Sequence, residues 1–483
     1  MSISQSLSNA LSGLTASSRM AEVVSSNLSN ALTDGYGRRS LDLSSHSVGG
    51  RGAGVRIDGV TRHVDRGILG DRRLADSELA GQQRLFDALS RLEATMGAVG
   101  DPHSLSARLT ALEQALATAA GDPSSDVRQN TVVNRLTGVT TALNDSATGL
   151  RTLRQEAEDS IKTQVDQLNT ALRQVETLNT DILRSRTSGE DASALIDQRQ
   201  LVIDRISAIV PVREIERSNG TAAVMTTSGQ MLIDGPALQF GFAAANYVTP
   251  DMTLASGALQ GITRDGVPLV GSASGYGRLG GGSLAAAFAL RDDTLVAAQA
   301  GLDAVARDLI DRFASPATDP GLAPGDAGLL TDAGAAFDPL DEIGLAGRIR
   351  VNAAVDPAQG GASWRIRDGV NATAQGAAGD ATQINRWLDA LSATQSLASG
   401  GAARSASGHV AGLASTLGSQ RLNAEDRLSF VTARWDSLRA AELAGGVDSD
   451  HELQMLMRIE QAYAANAKVM QTVQSMIQTL MEI

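Results

Sequence analysis

Gly275-Tyr276-Gly277-Arg278-Leu279-Gly280 fits the GxGxxG spacing of a dinucleotide-binding turn, with Asp303 roughly where an acid would take a ribose hydroxyl. That chemistry needs a buried parallel strand leading into the turn and a βαβ alternation around it. Ser272–Gly275 reads as a loop and no such alternation surrounds it, so the run is read as a flexible entry to a helix. His451-Glu452 opens a zincin-like string, but Met455 stands where the second histidine is required. The five histidines, at 46, 63, 103, 409 and 451, include no pair at metal-ligand spacing. The chain has no cysteine, which removes thiolate zinc, iron–sulfur clusters, disulfides and a cysteine nucleophile. Its two lysines follow Ile161 and Ala467, so no Gly-Lys-Ser/Thr phosphate loop exists. Asp292-Asp293 and Glu156-x-Glu158-Asp159 are read as solvated charges on exposed helix faces. Trp387 and Trp435 are read as core or helix–helix anchors. No nucleophile, base and orienter come together, so no catalytic, cofactor-binding or metal-ligating residue is expected.

With reactive groups so sparse, the elements themselves become the subject. The 483 residues carry a net charge of −13 and a pI near 4.9, which argues against nucleic acid as a partner. Hydrophobic residues make up 42% but aromatics only 3%. Small aliphatic side chains suit close helix packing and slender bodies. No apolar run reaches the roughly 18 residues of a membrane span, so no membrane insertion is expected. Met1–Leu14 has neither a positive n-region nor a continuous apolar h-region, unlike a cleaved signal peptide. Composition alone points to a soluble cytoplasmic protein, a reading the two ends of the chain reverse.

Ile3, Leu7, Ala10, Leu14, Ser17, Ala21, Val24, Leu28 and Ala31 alternate in steps of four and three, with Ser17 the polar member. This is a heptad seam. Ser2 or Ser4 can cap its start, and Asp34-Gly35 stops it. At the other end Leu456, Ile459, Tyr463, Asn466, Met470, Val473, Ile477 and Leu480 repeat the device. Gly445-Gly446 breaks the chain before it, Asp448, Ser449 or Asp450 can cap it, and Asn466 is the residue that could set register. Burying each large side chain contributes roughly 1.5–3 kcal/mol. Ordering each residue costs on the order of 1–2 kcal/mol in backbone entropy. A single two-helix contact is therefore marginal, and both ends are expected to be loose in the monomer and ordered by polymerisation.

Ser12-Gly13-Leu14, then Asn27-Leu28-Ser29-Asn30, then Thr33-Asp34-Gly35-Tyr36 resemble the N-terminal motif of the flagellar rod, hook and hook-associated axial proteins. Gly446-Val447-Asp448 and Glu460–Thr472 resemble the matching C-terminal motif. Arg38 in Tyr36-Gly37-Arg38 is similar to the hook-associated branch, with Arg39 where that branch usually carries Gln. Gly121-Asp122-Pro123 with Arg128, Leu178-Asn179 with Ile182, Leu195-Ile196-Asp197-Gln198-Arg199 and Leu290-Arg291-Asp292 resemble the same branch. The resemblance implies a structural subunit of the hook–filament junction, polymerising at the distal end of the hook and needed for filament assembly. It implies an extracellular location reached through the flagellar export apparatus without a cleaved signal. It also implies as partners further copies in a ring or helical homo-oligomer, the flagellar hook protein, hook-associated protein 3 and an export chaperone.

Between the ends, Leu150, Leu153, Ala157, Ile161, Val165, Leu168, Leu172, Val175, Leu178 and Ile182 predict one long helix. Asp101-Pro102 and Asp122-Pro123 each place a capping acid before proline at a helix start. After Pro211, Ala222–Thr226, Met231–Ile233 and the Asp265-Gly266 turn predict a small antiparallel β domain. Helix returns at Ser283–Arg312, strands at Ile349–Val351 and Ser363–Arg367, and helix from Thr382 to about Leu443. The expected fold is mainly α with β-rich insertions (α+β), multidomain and elongated: terminal coiled-coil helices, a long helical bundle and a small antiparallel β domain. Its expected division is 1–35 with 447–483 as a coiled-coil domain, 36–212 with 282–316 and 382–446 as a helical domain, and 213–281 with 317–381 as an outer β-rich domain. Other readings are a hook or distal rod subunit, favoured by a β-dominated 76–210, an enzyme carried on an axial scaffold, and a cytoplasmic coiled-coil adaptor.

Overall fold

The computed structural model describes residues 3–48, 51–97, 100–269, 275–397 and 401–482. Helix α1 (Ile3–Ser29) leads into an antiparallel hairpin of β1 (Arg38–Val48) and β2 (Arg51–His63), paired from Arg38 opposite His63. An unbroken helical block follows: α2 (Arg66–Met96), α3 (Leu105–Ala120), α4 (Asp126–Ser188) and α5 (Ser193–Ile209). Strands β3 (Val212–Glu216), β4 (Ala222–Thr226) and β5 (Met231–Ile233) form one antiparallel sheet, and β6 (Phe240–Gly241), β7 (Thr263–Arg264) and β8 (Val267–Pro268) a second. Helix α6 (Gly282–Ala289) runs through a π-turn at Leu290–Thr294 into α7 (Leu295–Ala314). Strands β9 (Leu330–Asp332) and β10 (Ile349–Val351) pair antiparallel. Helices α8 (Arg365–Asp368), α9 (Thr382–Ser392), α10 (Ala406–Ala444) and α11 (Ser449–Met481) complete the chain. The fold is mainly helical with small antiparallel insertions, as the periodicities predict.

The spine is α4, whose 63 residues span about 95 Å at 1.5 Å per residue. Of the ten positions predicted for its apolar stripe, nine are buried and Leu178 is half-buried. Two apolar cores share this spine. One gathers α3, the first half of α4, α7, residues 322–370, α9 and the start of α10. The other gathers Ile161–Val175 of α4, α5, α6 and the sheets between them. Residues 213–281 and 317–381 therefore belong to different cores rather than to one outer domain. Where the cores meet, Arg291 donates to Glu158 at 2.5 Å with both side chains fully buried. Beside them Arg154 donates to the carbonyls of Thr249, Pro250 and Arg291. Burial pushes the Arg154 guanidinium below its ordinary range.

Several expectations are corrected. Glu158 is an enclosed ion-pair partner, not a solvated charge, and Asp292 also pairs with Arg291. Residues 38–63, read as part of a helical domain, form the hairpin. Trp364–Arg367 is not a strand: α8 turns there and buries Ile366 and Arg367 together. The helix starts shift beyond Asp101 and Asp122, because Ser104 caps α3 and α4 begins after Ser125. Ser2 and residues 272–274 of the Ser272–Gly275 loop lie outside the described residues.

Candidate functional site: the joint between the chain ends

Helices α1 and α11 pack against each other along one column from each seam. On α1 the buried column is Ala10, Ser17 and Val24, and on α11 it is Glu452, Ile459 and Val473, each set in steps of seven or fourteen. The remaining seam residues are less covered. Ile3, Leu7, Leu14, Ala21, Leu456, Asn466 and Met470 are half-buried. Leu28, Tyr463, Ile477 and Leu480 are 36%, 49%, 36% and 61% exposed. Both ends are continuous helices, and α1 is further covered by the hairpin, where Val55 N–H donates to Ser12 Oγ at 3.2 Å.

Gly13 has a reason of its own. A Cβ there would lie 2.7 Å from Asn466 Nδ2, so the absent side chain lets the two helices close on Asn466. The contact ties a motif residue of one end to a motif residue of the other.

Below this pair the motifs converge on a buried joint. Asn27 is fully buried and uses both ends of its amide. Its Nδ2 donates to Arg39 O at 2.8 Å and to Glu452 Oε2 at 3.1 Å, while its Oδ1 accepts from Tyr36 Oη at 2.9 Å and Arg39 N at 3.0 Å. Glu452, only 1% exposed, also accepts from Arg38 Nε at 2.8 Å. One residue on, Arg39 stacks over the Tyr36 ring at 4.8 Å and reaches Asp197 Oδ2 at 2.6 Å. Asp197 also accepts from Arg62 Nε at 2.6 Å and from Gly37 N at 3.1 Å. The joint thus ties α1, the hairpin, α5 and α11 in one network. Asn30 closes the end of α1 by donating to Ser26 O at 2.9 Å, and Asp448 caps α11 through Asp450 N and His451 N. Gly35, at φ +73°, is the left-handed turn beyond α1, where a Cβ would meet Leu201.

The same motif stretch holds the first sheet. Arg199 donates to Asn179 Oδ1 at 2.9 Å and Gly220 O at 2.8 Å, and Asn179 pairs with both backbone groups of Ala222 at the start of β4. Sequence reasoning singled out Asn27, Tyr36 and Arg38 but missed Glu452, Arg39 and Arg62 as joint members. A signal for Glu452 was available: it stands seven residues before Ile459, in the buried phase of the heptad, and a carboxylate there demands cationic or donor partners.

This is positional chemistry. No group of three or more His, Asp or Glu side chains suited to a metal occurs among the described residues, and no described helix is long and apolar enough to cross a membrane.

A family model described as the flagellar hook-associated protein FlgK helical domain matches residues 89–318, and one described as the flagellar basal body rod FlgEFG protein C-terminal matches residues 444–483. Flagellar hook-associated protein 1 of Escherichia coli (strain K12) is 24% identical over 258 residues, 52% of this chain and 47% of that protein. The Salmonella typhimurium protein of that name is 26% identical over 240 residues, 48% of this chain and 43% of its own length. The Bacillus subtilis protein is 23% identical over 240 residues, 47% of each chain. This chain spans about half the length of the curated relatives it matches. The solved flagellar hook junction protein FlgK from Burkholderia pseudomallei is loosely similar, with a TM-score of 0.44 at 20% identity over 54% of this chain and 46% of that one. The two family matches cover most of the helical body and the C-terminal helix, and over those residues the chain is similar to the FlgK helical domain and to the C-terminal region of the basal body rod proteins.

Proposed function

We propose that the chain is a structural subunit of the bacterial flagellum that forms the hook–filament junction, polymerising at the distal end of the hook so that the filament can assemble. The observation that carries this reading is the half-used terminal pair. One column of each seam is buried within the subunit, while Leu28, Tyr463 and Ile477 of the second column remain exposed on the same helices. Those side chains can leave water against neighbouring copies. The buried joint holds both ends at one pole, which presents this second column to neighbours in a fixed orientation. Of the self-assembly seam predicted above, the second column, Leu7, Leu14, Ala21, Leu28, Leu456, Tyr463, Met470 and Ile477, is assigned to these contacts. The first column closes the pair within the subunit, and Asn466 sets the register of that pair.

The partners in this reading are further copies in a ring or helical array, the hook protein on one side and hook-associated protein 3 on the other, with an export chaperone before assembly. The location is extracellular, at the junction, after export through the flagellar apparatus. The unbroken helical block from Arg66 to Ile209 supports the junction over a hook or distal rod subunit, for which a β-dominated middle is expected. Deletion tests the proposal. Cells lacking the chain are expected to build hooks and shed flagellin into the medium; normal filaments on the mutant would refute the role.

A further inference from the structure

Residues Asp338–Ile343 form a protrusion that exposes two large apolar side chains. Leu340 is 95% exposed and Ile343 58%, beside the exposed Asp338 and Asp341, while Glu342 is half-buried. Arg348 grips Asp332 with two bonds, at 2.8 and 2.9 Å, and donates to Ile343 O at 2.8 Å. Arg307 donates to both oxygens of Glu342, at 2.9 and 2.7 Å. Buried Asp303 accepts from Gly344 N and Ala346 N, both at 2.8 Å. Asp338 caps the short turn through Leu340 N at 2.9 Å. A single exposed leucine is ordinary. Two large apolar side chains held outward on a loop fastened from beneath are pre-organised for contact, because little conformational freedom is left to lose on binding.

The same chain carries a matching recess. A cavity of about 620 Å³ opens between the end of α2, the start of α3 and α10, walled by Met96, Leu105, Ala111, Val410, Ala414 and Leu417. Leu105, Val410 and Leu417 belong to the first apolar core, so the recess reaches down to that core.

The placement of the two features around α4 decides what fills the recess. Gly138 and Gly149 meet the α2–α3 flank, through Arg108 on the Gly138 carbonyl at 3.3 Å and the close approach of Thr95 to Gly149. Asn144 and Ala147 meet the protrusion's base, through Asn144 on Ala346 O at 2.8 Å and the proximity of Gly347 to Ala147. At about 100° per residue, these two pairs lie roughly 160° apart around the helix. They also interleave along it. Protrusion and recess therefore stand at one level on opposite flanks. A knob and a hole so arranged cannot meet within one subunit but suit a head-to-tail contact that repeats around a closed ring.

We infer that the Leu340–Ile343 protrusion of one copy seats in the α2–α3–α10 recess of the next, forming the lateral contact between helical bodies. This rests on the ring-forming role proposed above. The test uses the full chain, carrying a photo-crosslinking phenylalanine analogue at position 340 or, as a control, at exposed position 127, in cells that lack the unmodified chain. Isolated hook–filament structures are then irradiated. The expected result for position 340 is a ladder of subunit multiples, with crosslinks mapping to residues 96–114 or 410–417, and no ladder for position 127. Crosslinks to a different protein, equal ladders from both positions, or incorporation without any ladder would overturn the inference and leave the junction role standing. Absence of the wild-type chain from these structures would instead overturn the junction role, and the inference with it. A second variant pair, Leu340→Cys with Ala414→Cys, needs no bulky analogue. The chain has no cysteine of its own, so oxidation should yield disulfide-linked multiples from the double variant alone.

Discussion

The terminal pair and the spine of the body are both written in aliphatics spaced three or four residues apart, yet they end in opposite states. Along α4 the stripe from Leu150 to Ile182 is covered by several elements, α5, α6, α7 and the sheets among them, and 23 of the helix's 63 residues are buried. Along α11 only Glu452, Ile459 and Val473 are buried among 33 residues. Local pattern therefore does not say whether a seam is finished within the subunit. What decides it is the number of elements the chain supplies to cover the helix: several for α4, essentially one for α11. The spine is a core, whereas the terminal pair is half of one. The expectation that the ends are loose in the monomer becomes more specific on this comparison. The joint around Asn27 and Glu452 anchors their shared pole, and amide exchange should quicken along α11 away from it.

The largest effect that separates the two regions is a charge in each seam. Ile161→Asp places a carboxylate in a site with 0% exposure and should cost roughly 4 kcal/mol or more, seen as a fall in the main denaturant midpoint followed by circular dichroism. Leu456→Asp, in a half-buried seam site, should move that midpoint by less than about 1 kcal/mol while removing the chain from sheared hook–filament preparations. Equal losses of stability would erase the distinction, and normal incorporation of the second variant would take away the seam's assembly role.

Next in size is the joint. Glu452→Ala strips Arg38 of its carboxylate and Asn27 of one acceptor, a loss of about 1.5–3 kcal/mol by the measure of hydrogen bonds to charged groups. Exchange should accelerate over residues 449–460 and stay unchanged in α4. Unaltered exchange at both places would show that the network does not anchor the end.

Smaller, but more specific, is Gly13→Ala. The new Cβ would press on Asn466, for a cost of about 1–3 kcal/mol of helix pairing. Adding Asn466→Ala should recover part of it, with a coupling of at least about 0.5 kcal/mol in a double-mutant cycle. Strict additivity would mean that Asn466 does not set how the two ends align.

These variants probe features that were unequally legible in the sequence. The long helices and both terminal seams could be read because apolar spacing is a local signal that tertiary contacts only complete. The hairpin at 38–63 could not, since it buries no apolar face: Leu43, Val55 and Ile57 remain 37–39% exposed, and no clean alternation marks them. Trp364-Arg365-Ile366-Arg367 misled by alternating like a strand. Its one helical turn is enforced from outside by Trp387, which donates to Ile366 O at 3.0 Å. Glu158 looked solvated because its partner, Arg291, lies 133 residues away. Of the joint, the sequence motifs marked Asn27, Tyr36, Arg38 and Asp197, though not that they meet. The partners Asp197 and Glu452 came from segments whose nearness depends on how α5 and α11 pack, which no local pattern encodes.

The smallest expected effect concerns sign rather than size. Glu442 on α10 lies 2.6 Å from Arg72 and looks like a stabilising ion pair. Arg72, 4% exposed, is already shared with Asp76 at 2.5 Å and Asp204 at 2.7 Å. Arg72 is therefore shared among three carboxylates, of which Asp204 also pairs with Arg73. Burial, which Arg72 offsets only in part and the negative charges of Asp204 and Asp76 reinforce, pushes the Glu442 carboxyl above its ordinary range. An acid whose folded pKa is raised binds its proton more tightly in the folded than in the unfolded chain. Its contribution to stability is therefore most favourable below the unfolded value and declines as pH rises through the folded one. Glu442→Gln should accordingly be neutral or slightly stabilising at pH 8, with its advantage over wild type shrinking toward pH 4. Ion-pair counting predicts the opposite, a loss at pH 8. Denaturant midpoints of both proteins at the two pH values decide between them: a clear destabilisation at pH 8 would mean that Arg72 is chiefly Glu442's partner, and that this end of α10, which leads into the half-covered α11, is clamped rather than merely seated.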